Sequence, residues 1–276
     1  MSRSLRIEYP GALYHITSRG NARQKTYLSK TDYNQFIFVL KDVIKRYNWV
    51  CYTYCLMPNH YHLVIETPEA NLSAGMRQLN GVYTQKFNYI HKRVGHLFQG
   101  RYKAMVVEKE SYLGELIRYV VLNPVRAKLV KNPEHWRWSG HREVLSKESD
   151  ICINRQKLIS VFETAKNYKE FISQKTVDES PWDKLKGDII LGSYEFIEKI
   201  KHHFSKNGKD KEISKKARFV GRPKLKEIII NNDDNKDKRN KQIITAYLKY
   251  GYTQKEISDY LQVHYSLISK TVKGKS

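Results

Sequence analysis

Cysteine is scarce in this chain, and its three thiols, Cys51, Cys55 and Cys152, are an odd number. With no signal peptide at the start, a disulfide framework is not expected. Long hydrophobic runs are missing too. No apolar stretch approaches the ~18 residues that cross a bilayer, so a soluble, intracellular protein with no membrane partner is expected. A phosphate-binding glycine loop is also missing. The longest Gly-x4-Gly match runs from Gly187 to Gly192 and continues with Ser193 where Lys would be needed. Chemistry driven by a bound nucleotide cofactor is therefore not expected.

Acid is in short supply: 28 Asp+Glu against 50 Lys+Arg leave a formal net charge of +22. A field of that size and sign favours a polyanionic partner. An inert basic surface is the alternative, but the charge comes with 20 tyrosines. Rings interleaved with cations suit unpaired bases and phosphates. The 276 residues, 40% of them hydrophobic, are enough for one large domain or two to three small ones.

Residues 13–19 alternate like a strand. Residues 29–47 space Phe36, Ile37, Leu40, Val43 and Ile44 as a helix does, with Thr31 or Asp32 as the candidate cap. Residues 49–57 and 60–67 read as strands about a Pro58-Asn59 turn. Residues 71–93 carry a second helical pattern, 101–108 a strand, and 111–123 a helix that Pro124 kinks or ends. The order β-α-β-β-α-β-α predicts an α+β fold over residues 1–150. Its expected form is a ferredoxin- or RRM-like antiparallel sheet with helices on one face.

Past residue 150 the pattern changes. Residues 151–204 suggest a helical extension and residues 205–239 a basic linker. Residues 201–241 hold 14 Lys+Arg against 6 Asp+Glu, net +8, with few large apolar side chains, the composition of a solvated segment. Within it Gly221-Arg222-Pro223-Lys224 is a short match to an AT-hook core, for which a charged linker is the simpler account. Order returns over residues 240–276. Thr253-Gln254-Lys255-Glu256 is a capping box, Ile257, Tyr260 and Leu261 give the next helix an apolar face, and Val263-His264 breaks it from a last helix. Two short helices about a tight turn predict a helix-turn-helix, with Ser266, Lys270 and Lys273 as candidate DNA contacts. A small helical bundle is the alternative.

Two segments carry candidate chemistry: Met57 to Glu66, and Arg118 to Arg126. On a strand, His60 and His62 share a face and lie roughly 7 Å apart, so both imidazoles can reach one divalent ion. Alone, the pair reads more readily as half-exposed strand histidines. Tyr119 and Asn123, four apart, share a helix face. If that helix crosses the sheet near the histidines, the Asn123 amide oxygen becomes a third ligand and the Tyr119 phenol lies beside a bound phosphate. Each has a competing account: Asn before Pro is an N-cap, and Tyr119 could be a core aromatic. A zinc site of Cys51, Cys55, His60 and His62 is disfavoured, since the cysteines lie ~13 Å apart on an extended strand. His15 reads as packed, and His202-His203 as solvated.

The joint occurrence of Tyr14 to Asn21, Met57 to His62, Gln99 to Lys103, Tyr119 to Ala127 and Trp136 to Ser139 resembles the HUH single-tyrosine transposases. Within them, residues 5–145 look most like the REP-associated tyrosine transposase branch. That resemblance implies metal ligands at His60, His62 and Asn123, with Mg²⁺ or Mn²⁺ bound. Asn123 stands where insertion-sequence relatives usually have Gln, and the shorter amide fits the REP-associated branch. Tyr119 would be the nucleophile, forming a 5′-phosphotyrosine with single-stranded, hairpin-containing DNA such as REP-like palindromes. Arg19, Arg23, Arg101 and Lys103 are candidate phosphate contacts. A bacterial, cytoplasmic, nucleoid-associated monomer or homodimer is expected. The rival expectation is a non-catalytic DNA-binding protein or repressor on a decayed transposase fold.

Overall fold

The structure, a computed structural model, describes residues 7–146, 152–174, 182, 185, 189–203, 222–230 and 236–273. The chain divides into two compact units, residues 4–207 and residues 208–276 with 1–3.

The larger unit is built on a five-stranded sheet in the order β2-β3-β1-β4-β5. Its strands are β1 (Ala12–Arg19), β2 (Val50–Met57), β3 (His60–Thr67), β4 (Lys103–Val107) and the two-residue β5 (Ile190–Leu191). The first four pair antiparallel. β5 adds a parallel edge beside β4, from a stretch expected to be helical. The helices are α1 (Lys30–Arg46), α2 (Leu72–Ile90), α3 (Lys109–Val121), the single turn α4 (Asn123–Arg126), α5 (Gly140–Leu145), α6 (Arg155–Phe162), α7 (Ala165–Ser173) and α8 (Tyr194–Ile200). Ser29, not Thr31, caps α1, and the Asp32 carboxylate returns the bond to the Ser29 amide, closing a capping box.

The mixed α+β class is as expected, but the helices do not share one face of the sheet. Side chains alternate along β3. Tyr61 packs against Phe36 of α1 and donates to Asn80 Oδ1 of α2 at 2.7 Å. His62, its neighbour, faces Tyr119 of α3. The sheet therefore lies between α1 and α2 on one side and α3 on the other, which is why all of β2 and nearly all of β3 are buried. An alternating pattern alone cannot say which element covers the second face.

Residues 152–203 belong to the same unit as the sheet, so no boundary falls near residue 150. The outer edge of β2 is covered by chain from both sides of residue 150. Leu56 N donates to Trp138 O at 2.9 Å, Trp136 Nε1 to Leu56 O at 3.1 Å, and Asn154 N to Cys51 O at 2.7 Å. An open edge would expose unpaired amides. His203 stacks on Tyr9 with ring centroids 4.8 Å apart, so it is not a free linker residue.

The smaller unit holds α9 (Leu225–Ile228), α10 (Lys236–Leu248), α11 (Gln254–Leu261) and α12 (Tyr265–Lys273). Ile229, Ile243, Ala246, Ile257 and Ile268 form its core. Ile229 lies in the stretch expected to be a solvated linker, so residues 222–230 are part of the folded unit. Arg222, of the AT-hook-like match, is engaged there. Its guanidinium sits 3.4 Å from the Tyr252 ring centroid and 2.6 Å from Glu256 Oε1. Gly221 lies outside the described residues. The Thr253–Glu256 capping box forms as expected, and Gln262 turns the chain in the left-handed region between α11 and α12. Among the described residues no helix is long and apolar enough to cross a membrane.

Candidate active site

The register of the sheet sets one face of the site. Arg19 stands opposite His60, and Thr17 opposite His62. On its other side Thr17 faces Lys103, so Lys103, Thr17 and His62 form a row across three strands. Across β2, Cys55 faces His62. It is a free buried thiol whose pKa burial pushes up, which is wrong for a thiolate ligand.

Each histidine is held by a second side chain. Asn59, in the turn before β3, donates its Nδ2 to Arg23 O at 3.1 Å. Its Oδ1 therefore faces His60 Nδ1, 2.7 Å away. An amide oxygen only accepts, so His60 carries its proton on Nδ1 and keeps a bare lone pair on Nε2. His62 Nδ1 lies 2.9 Å from His15 Nε2, and the buried His62 Nε2 has no hydrogen-bond partner in the structure. His15 and His62 rings stack at 5.1 Å, and the His60 and His62 ring centroids are 5.0 Å apart. Burial holds all three imidazoles neutral, the form that binds a cation. It takes the His15 pKa down to about 3. Burial, then the Arg19 charge, takes His60 to about 4. His62 falls well below its ordinary 6.5 through burial, then His15, His60, Arg126 and Arg19.

α3 brings Tyr119 to this face. Its ring meets those of His62 and His15 edge-on, each at 6.2 Å between centroids. Trp182 stacks on His15 at 4.5 Å and meets Tyr119 at 5.0 Å. The Arg126 guanidinium lies 4.2 Å from the Tyr119 ring centroid and donates to the Tyr119 carbonyl. Asn123 is no N-cap by its side chain. Its Nδ2 donates to the carbonyls of Tyr119 and Val120, at 2.9 and 3.4 Å, which directs the amide nitrogen to the end of α3. Tyr119 is thus brought to His60 and His62, and Arg19 and Lys103 border them. Arg23 is exposed and tied to the same turn through Asn59. Arg101 is exposed on the loop before β4. Ser266 and Lys270 are exposed on α12, in the other unit, and Lys273 is the last residue of that helix.

His15, Asn59, Arg126 and Trp182 are site residues that the sequence reading left aside or discounted. Arg126 had a signal, since seven residues past Tyr119 is two helical turns on the same side. His15 had none, because its partner is 47 residues away. Among the described residues no group of three or more His, Cys, Asp or Glu side chains is arranged to hold a metal. A cation held here would need further donors, such as the oxygens of a substrate phosphate. The bare lone pair of His60 and the unpartnered Nε2 of His62 fit such a cation.

Residues 9–123 match the family model Transposase IS200 like. That stretch is similar to the IS200-like transposases. A Haemophilus influenzae (strain Rd) protein whose name places it among the REP-associated tyrosine transposases is 27% identical over 147 residues, covering 49% of this chain and 82% of that protein. A solved REP-associated tyrosine transposase bound to a REP hairpin is 19% identical, with a TM-score of 0.46, covering 53% of this chain and 87% of that one. The match ends at Asn123, the first residue of α4, so α5 to α8 and the smaller unit lie beyond it.

Proposed function

We propose that the protein is a DNA strand transferase that cuts single-stranded, hairpin-bearing DNA of the REP-like kind through a covalent bond to Tyr119. The observation that carries this reading is the Tyr119 ring set edge-on to His62 at 6.2 Å, beside an imidazole nitrogen with no other partner.

The tyrosyl oxygen attacks phosphorus, the bond to the 3′ oxygen breaks, and the DNA leaves as a free 3′-hydroxyl with its 5′ phosphate on Tyr119. The phenolic proton passes to the departing oxygen, directly or through solvent. Attack by a second 3′-hydroxyl reverses the step, so one phosphodiester is exchanged for another and no nucleotide is consumed. Arg126 holds the ring and places positive charge near the accumulating phosphate charge. Arg19 and Lys103 flank the strand's path, and Arg23 and Arg101 extend the basic border. His60, His62 and the Asn123 oxygen would hold Mg²⁺ or Mn²⁺, which when bound supplies charge neutralisation at a non-bridging phosphate oxygen. His15 accepts from His62 Nδ1 and Asn59 accepts from His60 Nδ1, so both rings present Nε2. The α11–α12 pair acts as a helix-turn-helix, with Ser266, Lys270 and Lys273 toward DNA.

The test is incubation with labelled single-stranded hairpin DNA and Mn²⁺, followed by a denaturing gel. A covalent band is expected with the wild type and with neither Tyr119→Phe nor His60→Ala, while both variants still retain the hairpin. Retention by all three proteins with no covalent band would make the domain a non-catalytic DNA binder.

A further inference from the structure

On the outward side of α3, a cavity of about 490 Å³ opens between that helix, α7 and the segment 131–134. Tyr119 is part of its wall, so the cavity begins where the imidazole face ends. Glu115, Arg118, Tyr119 and Leu122 line it from α3, at the spacing of a single helix face. Leu122, Val125 and Ile172 make an apolar surface, and Arg118, Arg126, Lys131 and Lys169 bring positive charge. Two of those cations are matched by acids in the same lining: Arg118 by Glu115 at 3.0 Å and Lys169 by Glu134 at 3.2 Å. Arg126 and Lys131 have no matching acid in the lining.

We infer that this cavity receives one unpaired nucleotide of the DNA strand, the one next to the phosphate held at Tyr119, and so sets part of the sequence that is cut. The inference rests on the transposase reading for the position of that phosphate. Its chemistry is that of a nucleotide: an apolar surface of Leu122, Val125 and Ile172 for a base, and two cations, Arg126 and Lys131, with no matching acid in the lining for a phosphate. The volume suits a ligand of that class, and pockets of this type read an unstacked base by its edge and face. The pocket also needs α7, which lies outside the matched residues. The selectivity it confers would therefore belong to this chain's extension.

Two measurements test it. Saturation-transfer NMR of the full chain with dAMP, dGMP, dCMP and dTMP should show saturable binding of at least one nucleotide. Ser173 is exposed at the end of α7, so Ser173→Trp fills the mouth without entering the core. That variant and Lys131→Glu should lose the signal, and His60→Ala should keep it. No saturable nucleotide, or a signal unchanged in both pocket variants, overturns the proposal. The second measurement is the adduct assay with an abasic site at each position around the cut. One position should lower the wild-type rate at least tenfold, and Ser173→Trp should be slow on intact DNA yet insensitive there. Adduct formation with no sensitive position refutes the pocket and leaves the transposase reading standing. Nucleotide binding without any adduct does the reverse.

Discussion

At the scale of single residues, the site depends on which nitrogen of each imidazole carries the proton. The Asn59 amide is fixed by its donation to Arg23 O, so its oxygen faces His60. His15 Nε2 lies 2.9 Å from His62 Nδ1 on the neighbouring strand, and on the proposed reading it accepts from that nitrogen. Such outer partners typically contribute 10–100-fold in metal affinity. We expect His15→Ala to weaken Mn²⁺ binding by about that factor, with His15→Gln recovering part of it, because an amide oxygen can accept from His62 Nδ1. Asn59→Asp should bind Mn²⁺ at least as well as the wild type and Asn59→Ala more weakly. Calorimetric titration of the metal reads all four without any DNA. Equal affinity across the set would mean that the two partners only pack.

At the scale of elements, period-2 and period-3.6 patterns made the core of the larger unit legible. β1 to β4 and α1 to α3 fall within two residues of the expected bounds, except at the C-terminal end of α2. What escaped the sequence is non-local. β5 is two residues long and pairs with β4, 84 residues earlier. The second face of the sheet is claimed by α3 through contacts that no window of sequence contains. The metal-ligand and nucleophile candidates were legible as types and spacings, whereas His15 and Trp182 join them only through the fold. Close packing between elements also makes a sharp prediction. A Cβ added at Gly75 of α2 would come within 2.1 Å of Trp49 Cζ2. That indole is pinned by its Nε1 bond to Asn71 Oδ1 at 2.8 Å, so it has little room to retreat. Gly75→Ala should destabilise the larger unit by about 1–3 kcal/mol, despite the better helix propensity of alanine. An unchanged denaturant midpoint would show that Trp49 swings aside freely.

At the scale of the molecule, the formal net charge of +22 sets a long-range attraction for polyanions, while burial sets the acid limit of the fold. His15, His60 and His141 have pKa values of about 3, 4 and 4, against an ordinary 6.5. In each case burial is the leading cause. His141 shows the structural cost most simply, since it lies under α7 with Nδ1 2.7 Å from the Tyr168 hydroxyl and carries no expected catalytic duty. Between pH 6.5 and about 4 the unfolded chain binds protons at these positions that the folded chain refuses, so folding stability falls as pH drops through that window. Above pH 7 both states are neutral there and the contribution is flat. Carboxylates such as Asp32 and Glu66, whose folded values are lowered by their partners against the opposing pull of burial, lose their contribution only as pH falls below the ordinary carboxylate range. The upper part of the window therefore reports the histidines, opposed by Glu143, whose pKa burial raises. Denaturant midpoints for the metal-free full chain should decline from pH 6.5 to 5. His141→Gln, which can still bond to Tyr168, should decline less steeply by up to one proton's worth of slope. A midpoint that stays level between pH 6.5 and 5 would mean these imidazoles gain water or a counter-charge in the folded protein, and the neutral, cation-ready face described for His60 and His62 would lose its physical basis.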